Sequence, residues 1–365
     1  MKRFMIIFFS ALVVFAAGCT DDVIMREHQV TEDWKEAWKH DIDLPVPIML
    51  GNDDAGTKAV NEVSQMHDCV FGMFAMDKDA DTVSTILFNE VSTYKHDLDG
   101  GRFKFGYPGE VERPKYYPMD SDRNYSFYAY YHYDLDSCVV TQNSQTGEKI
   151  LMNMKVAVGQ DILWGKASTD EDGYNARYIR KTGHQSPKFK FLHPAAGLSF
   201  SASMAEDAVV PSNVLLVFSE LKFIDIPVRA QLCVADCDEG SGLEGSFVDV
   251  IKRGPVLLKR NNTGALEQEL SGTAHFSVGD EIFIMPSSEA IPAQIAIKKY
   301  VIKNQGTESE TKVVSGIYRI DLSIDPSLIN PELAGHEAGK YYKYNIVLDY
   351  KGGAPIFKGL CKSEI

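Results

Sequence analysis

The chain has 365 residues, 44% of them hydrophobic, and a formal net charge of −14. That is enough apolar material for buried cores and enough length for two domains. The acidic balance argues against a nucleic-acid binder, which needs a basic face to neutralise phosphates. Nothing after residue 18 approaches the roughly 20 apolar residues of a membrane-spanning helix.

Lys2 and Arg3 precede an apolar run, Phe4 to Phe15, broken only by Ser10. The run is too short to span a bilayer and has the flanks of a signal peptide. It ends in Ala16-Ala17-Gly18-Cys19, which resembles the lipobox of bacterial lipoproteins. Small residues there admit the signal peptidase, and the Cys19 thiol receives the diacylglycerol. At roughly 0.8 kcal/mol per buried methylene, two or more acyl chains give a stable outer-membrane anchor. Residues 1–18 are thus expected to be a signal peptide and 19–43 a lipid-anchored tether. Thr20-Asp21-Asp22 resembles the surface-export signal of Bacteroides-type lipoproteins, and Thr31-Glu32-Asp33 suits the cap of a short helix carrying Trp34 and Trp38.

From Leu44 onward the pattern is strand. Tyr125 to Tyr133 sets Tyr125, Phe127, Ala129, Tyr131 and Tyr133 on one face, and Val228 to Val234 and Tyr342 to Tyr350 alternate likewise. Val70–Met76, Thr82–Asn89, Lys188–Ala202, Glu281–Met285, Ala293–Ile302 and Gly316–Asp321 also read as strands, punctuated by Gly, Pro, Asn and Asp. Long helical periodicity is absent. The fold class is therefore all-β, built as β-sandwiches. The stretch from Asp170 to Pro187 marks the division, giving an N-terminal sandwich over 44–186 and a C-terminal one over 187–365.

Several motifs fail on inspection. Gly240 to Gly245 matches G-x-G-x-x-G, but the β-branched, aromatic run that follows does not open the helix a dinucleotide site needs, so it reads as a flexible loop between strands. Asp77-Lys78-Asp79-Ala80-Asp81 starts like a calcium loop, yet Thr82 and Phe88 stand where Gly and Glu are required, so it reads as solvated. Asp81-Thr82-Val83 resembles a short O-glycosylation acceptor of Bacteroides-type exported proteins. With Cys19 lipidated, Cys69, Cys138, Cys233, Cys237 and Cys361 remain, an odd number that excludes a full disulfide framework but leaves room for one or two bridges. Cys233 and Cys237 lack a second ligand pair. His193, beside an aromatic strand, reads as structural. No cofactor, metal site or catalytic residue is expected, and the chain is not read as an enzyme.

Tyr116-Tyr117-Pro118 with Tyr125–Tyr131, Asp161-Ile162-Leu163-Trp164-Gly165 with Phe189–Leu198, and Gly339–Leu348 together resemble, in order and spacing, the fimbrillin family, the subunits of type V pili. The resemblance implies two transthyretin-like β-sandwich domains and export as a lipoprotein to the outer membrane and cell surface. It further implies removal of an N-terminal strand by a trypsin-like surface protease. Another pilus subunit then fills the groove with a donor strand, by β-augmentation. A host or bacterial receptor is a further implied partner.

Here the removable strand is Leu44-Pro45-Val46-Pro47-Ile48-Met49-Leu50, with Leu44, Val46, Ile48 and Leu50 on one face. The prolines place it at a sheet edge. Gly51 to Lys58 is the exposed loop, cut after Lys58. The family pattern more often has Arg there, which argues against an Arg-only protease. Ile356 to Leu360 reads either as a donor strand or as a closing strand. The alternative function is a glycan-binding surface lipoprotein using Tyr107, Tyr116 or Trp164 as stacking platforms.

Overall fold

The computed structural model describes residues 45–52, 68–78, 80, 82–95, 101–119, 123–143, 147–167, 174–182, 186–260 and 266–362. The expected signal peptide and tether, Cys19, Leu44 and the loop residues from Asp53 to Lys58 lie outside them.

In chain order the first strands are β1 (Leu50–Asn52), β2 (Val70–Asp77), β3 (Thr85–Lys95), β4 (Arg102–Phe105) and β5 (Tyr125–Tyr131). A hairpin, β6 (Cys138–Asn143) and β7 (Gly147–Lys155), follows, then β8 (Leu163–Ala167), a short helix α1 (Ala176–Thr182) and β9 (Lys188–Leu192). Seven of these close into a barrel in the order β1-β4-β3-β2-β5-β8-β9.

The barrel is filled by alternate side chains, among them Phe71, Met73, Phe103, Phe127, Phe189 and Phe191. Phe103 meets Phe71 and Phe189 edge-on, with ring centroids 5.1 and 5.5 Å apart. β2 and β5 are buried on both faces, which is why Val70–Met76 is almost wholly apolar. Phe74, Met76, Tyr128, Tyr130 and Trp164 point out of the barrel into a second core with Met152, Leu232 and Val234. Gly72 is needed on that face, because a Cβ there would lie 2.0 Å from the Tyr130 ring.

The rest comprises β10 (Ala196–Met204), β11 (Val214–Asp236), β12 (Phe247–Leu257), β13 (Gln268–Leu270), β14 (Phe276–Ser277) and β15 (Ile282–Ile284). It ends with β16 (Ile291–Lys303), β17 (Thr311–Ile324), β18 (Tyr341–Lys351) and β19 (Ala354–Lys362). One sheet runs β14-β10-β18-β19, with β15 also on β10; the other runs β17-β16-β11-β7-β6, with β12 and β13 on the far side of β11. They enclose a third core of Leu198, Phe200, Phe218, Phe223, Ile295, Tyr344 and Ile346, among others. β11 joins the cores: Leu216 to Phe223 face this one, and Ala230 to Val234 face the barrel.

The chain is thus nearly all β. Three expectations are corrected. Lys188–Ala202 is two strands, broken at His193–Ala195, where Pro194 can neither donate nor leave its predecessor free. The strand expected from Thr82 starts at Thr85 and runs on to Lys95. Asp77 is not solvated: it ends β2 at 8% exposure, 3.2 Å from Arg123. No helix among the described residues is long and apolar enough to cross a membrane.

Candidate functional site

The segment Pro45 to Gly51 alternates strictly. Val46, Ile48 and Leu50 are 0%, 5% and 1% exposed and face the barrel core, whereas Pro45 is exposed and Pro47 and Met49 are half-buried. Around them sit Phe103, Tyr117, Tyr174, Ile179 and Phe189. Burying the three aliphatic side chains is worth roughly 5–9 kcal/mol in gross transfer terms.

Where it forms β1 the segment is not at an edge. One wall of its groove is β4 and the strand-like stretch 115–117. Leu50 pairs with Phe103 and Gly51 with Arg102, antiparallel. Ile48 N–H donates to the Lys115 carbonyl at 2.7 Å, and Tyr117 N–H to the Val46 carbonyl at 3.0 Å. The opposite wall is β9, parallel, with Gly51 beside Lys188 and Asn52 beside Phe189; Gly51 N–H donates to the Pro187 carbonyl at 2.9 Å. The prolines are tolerated between two partners for a local reason. Pro47 faces Tyr116 in a bridge whose two hydrogen bonds use Ile48 and Val46. By alternation its nitrogen points to the other wall, four residues before Gly51, where β9 has not begun. Removing the segment would therefore leave two unpaired strand edges and an apolar slot between them.

The walls carry their own chemistry. Burial, with the nearby Tyr174 hydroxyl second, holds the Tyr117 phenol well above its ordinary pKa, so it stays neutral. On the outer surface Arg102 and Lys104 alternate with buried Phe103 and Phe105, and exposed Lys188 and Lys190 alternate with buried Phe189 and Phe191. The sequence reading missed these walls. Their signal was the period-2 runs Arg102-Phe103-Lys104-Phe105 and Lys188-Phe189-Lys190-Phe191, which show strands but not what lies between them.

Other candidates fall elsewhere. Trp164 is 6% exposed and its Nε1–H donates to the Val234 carbonyl at 2.8 Å, so it offers no stacking face; Tyr107 and Tyr116 are 48% and 49% exposed. His193 Nδ1 lies 2.5 Å from Asp161 Oδ2, both largely buried. The Gly240–Gly245 stretch links β11 to β12 but is pinned rather than loose. Glu244 accepts from the Tyr128 hydroxyl at 2.8 Å and Lys166 Nζ at 2.6 Å. Cys69, Cys138, Cys233, Cys237 and Cys361 are free thiols. Among the described residues no group of three or more His, Cys, Asp or Glu is placed to hold a metal ion. The C-terminal β19 lies antiparallel on β18, from Lys351 opposite Ala354 to Tyr344 opposite Lys362.

No protein-family model matches the chain, and no curated protein matches its sequence. Solved structures do match. The fimbrial anchor protein Mfa2 from Porphyromonas gingivalis aligns over 87% of this chain and 96% of its own, at 10% identity and a TM-score of 0.38. A fimbrial protein from Bacteroides vulgatus aligns over 86% of this chain and 98% of its own, at 9% identity with a TM-score of 0.50. At such identity the likeness is one of fold, and the chain has the fold of a Bacteroides fimbrial protein.

Proposed function

We propose that this chain is a structural or adhesive subunit of a cell-surface pilus, assembled by protease-triggered donor-strand exchange. In this reading it is exported as a lipoprotein anchored through Cys19 to the outer membrane. The barrel and the sandwich stand for the two transthyretin-like units the fimbrillin resemblance implies, and the role is mechanical rather than catalytic. The observation that carries the proposal is the first strand: Val46, Ile48 and Leu50 are buried between β4 and β9, in a segment joined to the rest of the barrel by residues 53–67. While attached, that segment occupies the groove at a high effective concentration and keeps the precursor monomeric. A trypsin-like cut after Lys58 makes it a separate peptide, and a strand from the next subunit then competes on equal terms.

Mass spectrometry of the protein from cells tests the processing step. The expected precursor carries acyl chains on Cys19 and loses them in a Cys19→Ala variant, while the fimbrial fraction begins at Ala59. Fimbrial material that still begins at Cys19 would overturn the processing step.

A further inference from the structure

The outer face of the groove is charged in a way the resident strand does not match. Arg102 and Lys188 are the two residues in register with Gly51, one on each wall. Side chains directly opposite in adjacent strands share a face, so both cations flank a position that has no side chain. Lys104 and Lys190 lie two residues further along β4 and β9, on the same outer face. In a chain of net charge −14 this is a local reversal of sign.

Among the described residues counter-charge is sparse: Glu112 serves both Arg102 and Lys104, at 3.6 and 3.9 Å, and Arg102 Nε is buried without a hydrogen-bond partner. Among the described residues neither Lys188 nor Lys190 makes an ion pair with a carboxylate. The next residues in sequence after Asn52 are Asp53 and Asp54, which lie outside the described residues and would be lost together with the strand on a cut after Lys58.

Gly51 has room for a side chain. Its φ is not in the left-handed region, and a Cβ there would make only ordinary contact, 3.5 Å from Lys188 Cγ. The chain's own last strand is the wrong sign. Ala354 to Lys362 carries Lys358 and Lys362 and no carboxylate, and it is already paired with β18.

We infer that the groove selects a donor strand from a different subunit, with apolar residues replacing Val46, Ile48 and Leu50 and a carboxylate replacing Gly51, and disfavours a second copy of this chain. The inference rests on the donor-strand reading above and adds the partner's chemistry to it. Apolar alternation alone is common to many strands, so it gives affinity with little discrimination. Opposite charge across both neighbours favours the acidic donor, and like charge repels a basic one.

The test uses the soluble domain, cleaved after Lys58 and freed of its segment, with peptides of residues 44–52 carrying Gly51, Gly51→Asp or Gly51→Lys. A peptide of residues 354–362 is the fourth probe. Binding is measured by fluorescence anisotropy at low salt and in about 1 M NaCl, where the screening length falls to roughly 3 Å. The Gly51→Asp peptide is expected to bind roughly fivefold or more tightly than Gly51→Lys. That gap should close in high salt and in an Arg102→Gln/Lys188→Gln body, and the 354–362 peptide should bind least. Equal affinity of the Asp and Lys peptides, or tight binding of 354–362, would overturn the inference and leave strand exchange standing. If the Gly51 peptide itself fails to bind a folded, emptied body, strand exchange and the inference fall together.

Discussion

His336 shows how a single buried residue ties stability to pH. It is 2% exposed, its Nε2 lies 2.9 Å from the Tyr344 hydroxyl, and its backbone exchanges hydrogen bonds with Ser287. Burial pushes its pKa down to about 4, against a smaller upward pull from Asp325. The unfolded chain binds this proton near pH 6.5 and the folded chain only near pH 4, so the stabilising preference for neutral imidazole is fully present above about 6.5. It is lost as pH falls from there to about 4, by roughly 3 kcal/mol. Urea unfolding of wild type and His336→Gln across that window should show the wild type losing that much more. Parallel slopes would mean that the imidazole is protonated in the fold.

Among the elements, the β11–β12 turn does more than connect. Glu244 draws together Tyr128 of β5, Lys166 of β8 and the Asp236 backbone N–H, while Asp236 binds Lys149 at 2.5 Å and the Ser241 hydroxyl. Gly245 has φ +74 and a Cβ there would lie 2.5 Å from the Trp164 ring, so only glycine fits both the backbone and the approach. The turn therefore clasps the barrel to the β11 end of the sandwich. Gly245→Ala is expected to cost about 2 kcal/mol or more through the clash and the strained φ. Glu244→Ala should cost a similar amount by removing the carboxylate that accepts from the Tyr128 hydroxyl and Lys166 Nζ. Urea unfolding checks both, and a change under about 0.5 kcal/mol, the level of an ordinary surface substitution, would remove the clasp.

What the sequence disclosed and what it withheld also divide by element. Tyr125–Tyr131 was legible as a strand from its aromatic run, although both its faces are buried, and Tyr341–Lys351 because its alternation records which face is buried. The buried face of the first segment was legible for the same reason: Val46, Ile48 and Leu50 repeat at every second residue. Its neighbours were not, because pairing is a long-range property: β1 touches β4 some fifty residues on and β9 well over a hundred residues on. The proline rule pointed to an edge, and the observed bridge at Pro47 shows the exception, a proline whose absent N–H faces the side on which no described residue pairs with it. The pinned turn was hidden similarly, since Glu244 finds Tyr128 only 116 positions away in sequence.

At the scale of the whole molecule, two of the three cores share one long strand, β11. The barrel closes only when Pro45–Asn52 is in place, because β4 and β9 are joined through β1. The rest of the barrel keeps its own ladder from β4 through β3, β2, β5 and β8 to β9, and the sandwich does not depend on the segment. A body without its first strand should thus stay folded with an open slot, which is the state strand exchange requires. The direct measurement is limited trypsin treatment of the soluble domain followed by native mass spectrometry in the presence of a donor-strand peptide or partner subunits. The account predicts a cut after Lys58, a folded body, and replacement of the released segment by one added strand per body. A body that is cut there, stays folded and yet takes up no strand from any peptide or partner would contradict it.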